Sequence, residues 1–123
     1  PIEERLRESS LIGQACVVGD GRKFLSVLIT LSEPALAELR VSGPLSFDRD
    51  VLADPQVLAE VKQAVDQLNR SLAQYEQIKR FVVIAREFSI ADGEMTPTLK
   101  MKRAVIESRF REVIDSMYAS LDV

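Results

Sequence analysis

A small α/β domain of the mixed (α+β) kind, with helices packed on a sheet that includes an antiparallel hairpin, is the fold class the sequence predicts. Three features point to it. Two β-type apolar runs, Ile12 to Val18 and Phe24 to Leu31, flank the glycine-rich connection Gly19-Asp20-Gly21-Arg22. A stretch opening at Asp54 repeats its apolar residues at helical spacing, and Phe81-Val82-Val83-Ile84-Ala85 is an unbroken apolar run of strand length. With 123 residues and 46% hydrophobic content, the chain can build one core from two packed layers, so residues 1–123 are expected to form a single domain.

In chain order, Ile2 to Ser9 reads as a short amphipathic helix, with Ile2 and Leu6 on one side and Glu3, Glu4, Arg5, Arg7 and Glu8 around them. It starts without an initiator methionine or a capping loop, and the expectation is that the chain is a fragment of something longer. The two β-type runs should pair antiparallel, since the glycines between them can take the positive φ angles a tight hairpin needs. Ser32 to Pro55 is punctuated by Pro34, Gly43, Pro44 and Pro55 and reads as a surface excursion in which only Ala35 to Leu39 looks helical. Asp54-Pro55 then supplies an N-cap and a first-turn proline for a long helix. Its buried stripe is expected to be Val57, Leu58, Val61, Ala64, Val65, Leu68, Leu72 and Tyr75. Lys62, Asp66, Arg70 and Glu76 lie off that stripe and read as a solvated face. Arg80 to Arg86 encloses a strand expected to lie centrally, covered on both faces. Val105, Ile106, Phe110, Val113, Ile114, Met117 and Tyr118 share one face of a terminal helix beginning near Lys102.

Composition narrows the chemistry. The chain has no histidine and one cysteine, Cys16, which removes the usual zinc, triad and imidazole-base arrangements, an internal disulfide, and the usual base to activate Cys16. Cys16 lies in an apolar strand and reads as core packing. A net charge of −3 lacks the excess of cations that phosphate neutralisation needs, so nucleic acid is a poor partner. No apolar run approaches the ~20 residues needed to cross a bilayer, and a soluble, cytoplasmic domain is expected. The Gly19 to Lys23 turn lacks Walker spacing and leads from one strand to another, so it reads as a hairpin and not a phosphate loop.

The segment Asp92 to Arg103 stands apart. It places a turn glycine (Gly93), Glu94, two hydroxyls and a rigid proline (Thr96, Pro97, Thr98) and three cations (Lys100, Lys102, Arg103) in one short connection between a strand and a helix. Such loops on a rigid scaffold are where function concentrates. The bland alternative is a turn at Asp92-Gly93, local capping by Thr96 or Thr98, and solvated cations. On composition alone, that account is the better one.

A resemblance changes the weighing. The string Glu94-Met95-Thr96-Pro97-Thr98-Leu99-Lys100-Met101-Lys102-Arg103, followed by Val105-Ile106 and Ile114-Asp115-Ser116-Met117-Tyr118, resembles the C-terminal part of long-chain fatty-acid CoA ligases of the adenylate-forming (AMP-binding) superfamily. Val17-Val18-Gly19-Asp20-Gly21-Arg22-Lys23-Phe24-Leu25 is similar to that family's hairpin, and Ile78-Lys79-Arg80-Phe81 to the start of its central strand. Several separated motifs thus occur in the family's order over nearly the whole chain. The resemblance implies a mobile C-terminal lid whose large N-terminal adenylation domain and hinge are absent here. It implies ATP, magnesium and CoA for the full-length enzyme, with none of them held tightly by this part alone. It implies a fatty acid as substrate and leaves room for peripheral membrane association. It also implies that Lys100 is catalytic, with Gly93, Glu94, Thr96, Pro97 and Thr98 shaping the loop and Lys102 and Arg103 as candidates for phosphate or interdomain contacts. Much of the superfamily has serine-glycine before this lysine, whereas Thr98-Leu99 precede it here, which leaves the local backbone geometry open.

Two rival readings remain at this level. One is a non-enzymatic binding module that docks a protein or acidic ligand through the loop and the Lys62/Arg70 face. The other is the lid of an adenylate-forming enzyme with a different acid or acceptor.

Overall fold

The structure, a computed structural model, describes residues 2–19, 21–42, 47–48, 51–52 and 54–119. By packing, the chain falls into two compact units, Pro1–Glu87 and Phe88–Val123, and each is described by itself.

The first unit holds a five-stranded sheet of order β1-β2-β5-β4-β3. The strands are β1 (Ile12–Val18), β2 (Leu25–Leu31), β3 (Phe47–Asp48), β4 (Val51–Leu52) and β5 (Ile78–Ile84). β1 and β2 form the expected antiparallel hairpin, with Cys16 opposite Leu28 and Val18 opposite Ser26. Its turn is closed by the Arg22 N–H donating to the Gly19 carbonyl at 2.9 Å, and Gly21 takes a φ of +76° there. Asp20 and the Gly43-Pro44 pair lie outside the described residues.

β2 and β5 run parallel, Leu28 opposite Val82 and Ile29 opposite Val83. A parallel pair needs a long crossover, and here it consists of α2 (Glu33–Ser42), β3, β4 and α3 (Pro55–Asn69). The excursion expected from Ser32 to Pro55 is therefore more regular than its composition suggests. Ser32 caps α2, its carbonyl accepting from Leu36 at 2.9 Å, and β4 extends the sheet through Val51 opposite Ile84. β5 lies third in the order, the central place expected of it. Val83 and Ile84, which point to opposite faces, are both fully buried.

α3 begins as predicted. Asp54 is its N-cap, the carboxylate accepting from Gln56 and Val57 N–H groups at 3.0 Å each, with Pro55 in the first turn. Val57, Val61, Val65 and Leu68 are buried and join Leu6 of α1 (Ile2–Leu6), with Val27, Ile29 and Leu31 of β2 and Ile78 and Val83 of β5, in one core. The helix ends earlier than the apolar spacing suggests. Asn69 turns back on β5, donating to the Ile78 carbonyl and accepting the Ile78 N–H, both at 2.8 Å. Tyr75 consequently sits in a separate 3-10 turn, Gln74–Glu76, and is 83% exposed, so it is no part of the buried stripe. Glu76 belongs to that turn as well, while Lys62 and Asp66 pair on the exposed face of α3 at 2.8 Å. Cys16 is fully buried in β1, as its packing role requires.

In the second unit, the single terminal helix expected from Lys102 onwards is two helices, α4 (Arg103–Arg109) and α5 (Arg111–Ala119). Phe110 separates them at φ −105° and ψ 23°, with its ring edge-on to Phe88 at 5.9 Å between centroids. Ile106, Phe110, Val113, Ile114, Met117 and Tyr118 are buried as the periodicity predicts, and Val105 is half-buried. Among the described residues no helix is long and apolar enough to cross a membrane.

Candidate functional site

The loop Asp92 to Arg103 is a miniature hairpin. Its base forms at Ser89, whose hydroxyl donates to the Asp92 carboxylate at 2.9 Å and accepts the Asp92 N–H at 3.0 Å, a turn typical of serine and aspartate. Gly93 continues the turn at φ +76° with its N–H on the Ile90 carbonyl at 3.0 Å. That conformation suits glycine, which has no Cβ to clash.

Glu94 follows, and it is fully buried. One carboxylate oxygen accepts the Ser89 N–H at 3.2 Å, and the other lies 3.7 Å from Nη1 of Arg109 on α4. Its backbone is committed too: the N–H donates to the Ser89 carbonyl at 3.0 Å, and the carbonyl accepts the Lys102 N–H at 2.8 Å. Glu94 thus ties together the turn below the loop, the returning strand and the helix beyond.

From there the two arms pair, Met95 opposite Met101. Above them the Thr96 N–H donates to the Lys100 carbonyl at 2.8 Å, and Thr96 Oγ1 accepts the Lys100 N–H at 3.0 Å. The Leu99 N–H closes the tip on the Thr96 carbonyl at 2.8 Å, and the Thr96 and Thr98 hydroxyls lie 3.1 Å apart. Thr96 therefore holds Lys100 through both of its backbone groups. Pro97, Thr98, Leu99 and Lys100 form the exposed tip, and Leu99 has a φ of +63°, the left-handed region. The backbone geometry that Thr98-Leu99 left open is thereby settled: leucine takes a conformation that glycine takes without steric cost.

The expected loop residues thus occur together, with Lys100 exposed on a tip braced by Thr96 and rooted at Glu94. Lys102 and Arg103 stand elsewhere in the loop. Lys102 is the residue before α4, its carbonyl accepting Val105 and Ile106 N–H groups at 3.0 Å, and both cations are exposed at the helix start. Sequence reasoning missed Ser89 and Arg109, and it noted Leu99 only as the residue before Lys100. The Ser89 to Asp92 spacing is a readable turn signal, but Arg109 reaches Glu94 only through the fold. Among the described residues no three or more Asp, Glu, Cys or His side chains converge as metal ligands.

The family described as AMP-binding enzyme C-terminal domain matches residues 1–122. A long-chain-fatty-acid–CoA ligase of Mycobacterium tuberculosis is 34% identical over 120 residues, covering 95% of this chain and 20% of that protein. One from Mus musculus is 33% identical over 138 residues, covering 96% of this chain and 19% of that protein. The chain spans about a fifth of the length of these relatives. Among solved structures, the A-PCP didomain of carboxylic acid reductase from Segniliparus rugosus in complex with AMP superposes with a TM-score of 0.74 at 23% identity. It covers 98% of this chain and 16% of that one, a likeness of fold.

Proposed function

The chain belongs to the AMP-binding enzyme C-terminal domain family, the lid domains of adenylate-forming enzymes, and from that premise we propose that it is the lid of a long-chain fatty-acid CoA ligase. In that reaction the fatty carboxylate attacks the α-phosphate of ATP, giving acyl-adenylate and pyrophosphate. The thiol of CoA then displaces AMP to give the thioester. Magnesium, when bound with ATP on the partner domain, offsets charge on the phosphates.

The observation that supports the reading is Lys100, exposed at the tip of a hairpin that fixes both of its backbone groups on Thr96. Adenylate formation brings two anions together, and a cation placed between carboxylate oxygen and α-phosphate lowers that repulsion. It also orients the attack, and in a water-poor site such preorganised charge is worth several kcal/mol. The four-carbon stem carries the ammonium beyond the loop into a site whose other walls belong to the large adenylation domain. Thr96, Pro97 and Thr98 shape the tip, Gly93 and Glu94 its base, and Lys102 and Arg103 face phosphate or the partner domain. The isolated chain is accordingly expected to lack turnover. The long-chain form of the loop favours a fatty acid over another acid. We place the enzyme in the cytoplasm, with membrane contact at most peripheral.

The test separates the half-reactions in the full-length enzyme. Lys100→Ala is expected to slow adenylate formation by about a hundredfold or more, read as pyrophosphate release with fatty acid and ATP. Conversion of supplied acyl-adenylate to acyl-CoA should proceed near the parental rate. Equal loss in both half-reactions would contradict the role given to Lys100.

A further inference from the structure

Leu99 combines two unfavourable features at one position. It adopts a φ of +63°, and 69% of its surface is exposed. A lone exposed leucine is ordinary. A bulky side chain in the left-handed region is uncommon, and it persists only where the surrounding bonds dictate it. Here they do: the Leu99 N–H is fixed on the Thr96 carbonyl at 2.8 Å, and the bonds between Thr96 and Lys100 bracket the residue. Glycine or asparagine would satisfy the same backbone at lower cost, and asparagine would also suit water. Leucine suits neither condition of the exposed tip. It does suit an apolar surface that covers the tip.

We propose that Leu99 is the apolar contact through which the loop tip seats on the adenylation domain, fixing the approach of the adjacent Lys100 ammonium. The inference rests on the reading of the loop as the lid's catalytic element. The chemistry of the partner surface follows from the substrate class. A site that admits a fatty carboxylate is lined by apolar groups where the acyl chain leaves water, and a leucine arriving beside the carboxylate-binding lysine meets that lining. Leu99 is thus a positioning residue acting through Lys100, and its side chain is buried only when the tip is engaged.

The experiment compares Leu99→Asn, Leu99→Gly and Leu99→Met in the full-length enzyme, with Lys100→Ala alongside. Asparagine and glycine accept the backbone conformation but lose the apolar contact. Both are expected to lower kcat/KM for adenylate formation about tenfold. The thermal midpoint of the 123-residue chain should be no lower with either. Methionine keeps the apolar contact and is expected to restore the rate to within about twofold of the parent. The loss should be similar for medium- and long-chain acids. A Leu99→Asn enzyme with the parental rate overturns the proposal. So does a loss accompanied by a lowered midpoint, which marks a merely structural residue, or a loss that grows with chain length, which assigns Leu99 to the substrate. If Lys100→Ala leaves adenylate formation intact, the reading of the loop falls and this inference with it. A normal Leu99→Asn beside a crippled Lys100→Ala removes this inference alone.

Discussion

Glu94 shows how much one side chain can hold. Its carboxylate satisfies the Ser89 N–H beneath the loop and faces Arg109, while its backbone carries the first rung of the hairpin. Glu94→Ala leaves a part-buried N–H without that acceptor, which costs about 1–3 kcal/mol, measured as a lower urea midpoint of the chain. Glu94→Gln keeps shape and acceptor and should cost less than half as much. The Arg109 guanidinium stands 3.7 Å away on a side chain that is 43% exposed, so in the glutamine variant water can solvate it. A glutamine variant as unstable as the alanine one would show instead that the charge dominates. Both residues were present in the sequence, but only Glu94 belonged to a recognisable string. Arg109 is fifteen positions away and carries no local sign of its partner.

At the scale of elements, agreement was best where a boundary is set by its own residues. Asp54-Pro55 starts α3 because a carboxylate at the N-cap accepts the first N–H groups and the proline has none to satisfy. Asp54→Ala is expected to cost about 1 kcal/mol, and Asp54→Asn much less, by urea denaturation. If alanine proves neutral, the cap contributes nothing and the packing of Val57 and Val61 alone fixes the helix start. Boundaries set by distant residues were not legible. The apolar spacing of α3 runs on to Tyr75, yet Asn69 clamps the backbone of β5 and ends the helix. The spacing of the terminal helix likewise continues through Phe110, which contains no proline or glycine signal. Two bonds, Phe110 N–H to Ile106 and Ile114 N–H to Phe110, still span the break. β3 and β4 are two residues each, too short for alternation to show.

At the scale of the whole molecule, the sheet order makes a prediction of its own. β2 has a strand on either side, and Ser26 to Leu31 are all buried, so its amides and those of β5 should exchange most slowly. Ile29→Ala, at a fully buried site in β2, is expected to cost about 2–5 kcal/mol, read from the urea midpoint. Slower exchange in β1 than in β2 would contradict the order. The sequence by itself determined the α/β class, the β1-β2 hairpin, the cap of α3, the central apolar strand and the place of the Asp92 to Arg103 loop. Each of these rests on residues within a few positions of one another, where turn chemistry and periodicity act. Only the tertiary structure decided that β5 lies between β2 and β4, parallel to the first and antiparallel to the second, that Asn69 ends α3, and that Arg109 meets Glu94. It also decided that Leu99 is held in the left-handed region beside Lys100. These features depend on backbone and side-chain groups that meet only after the chain has folded, and no local pattern records the meeting.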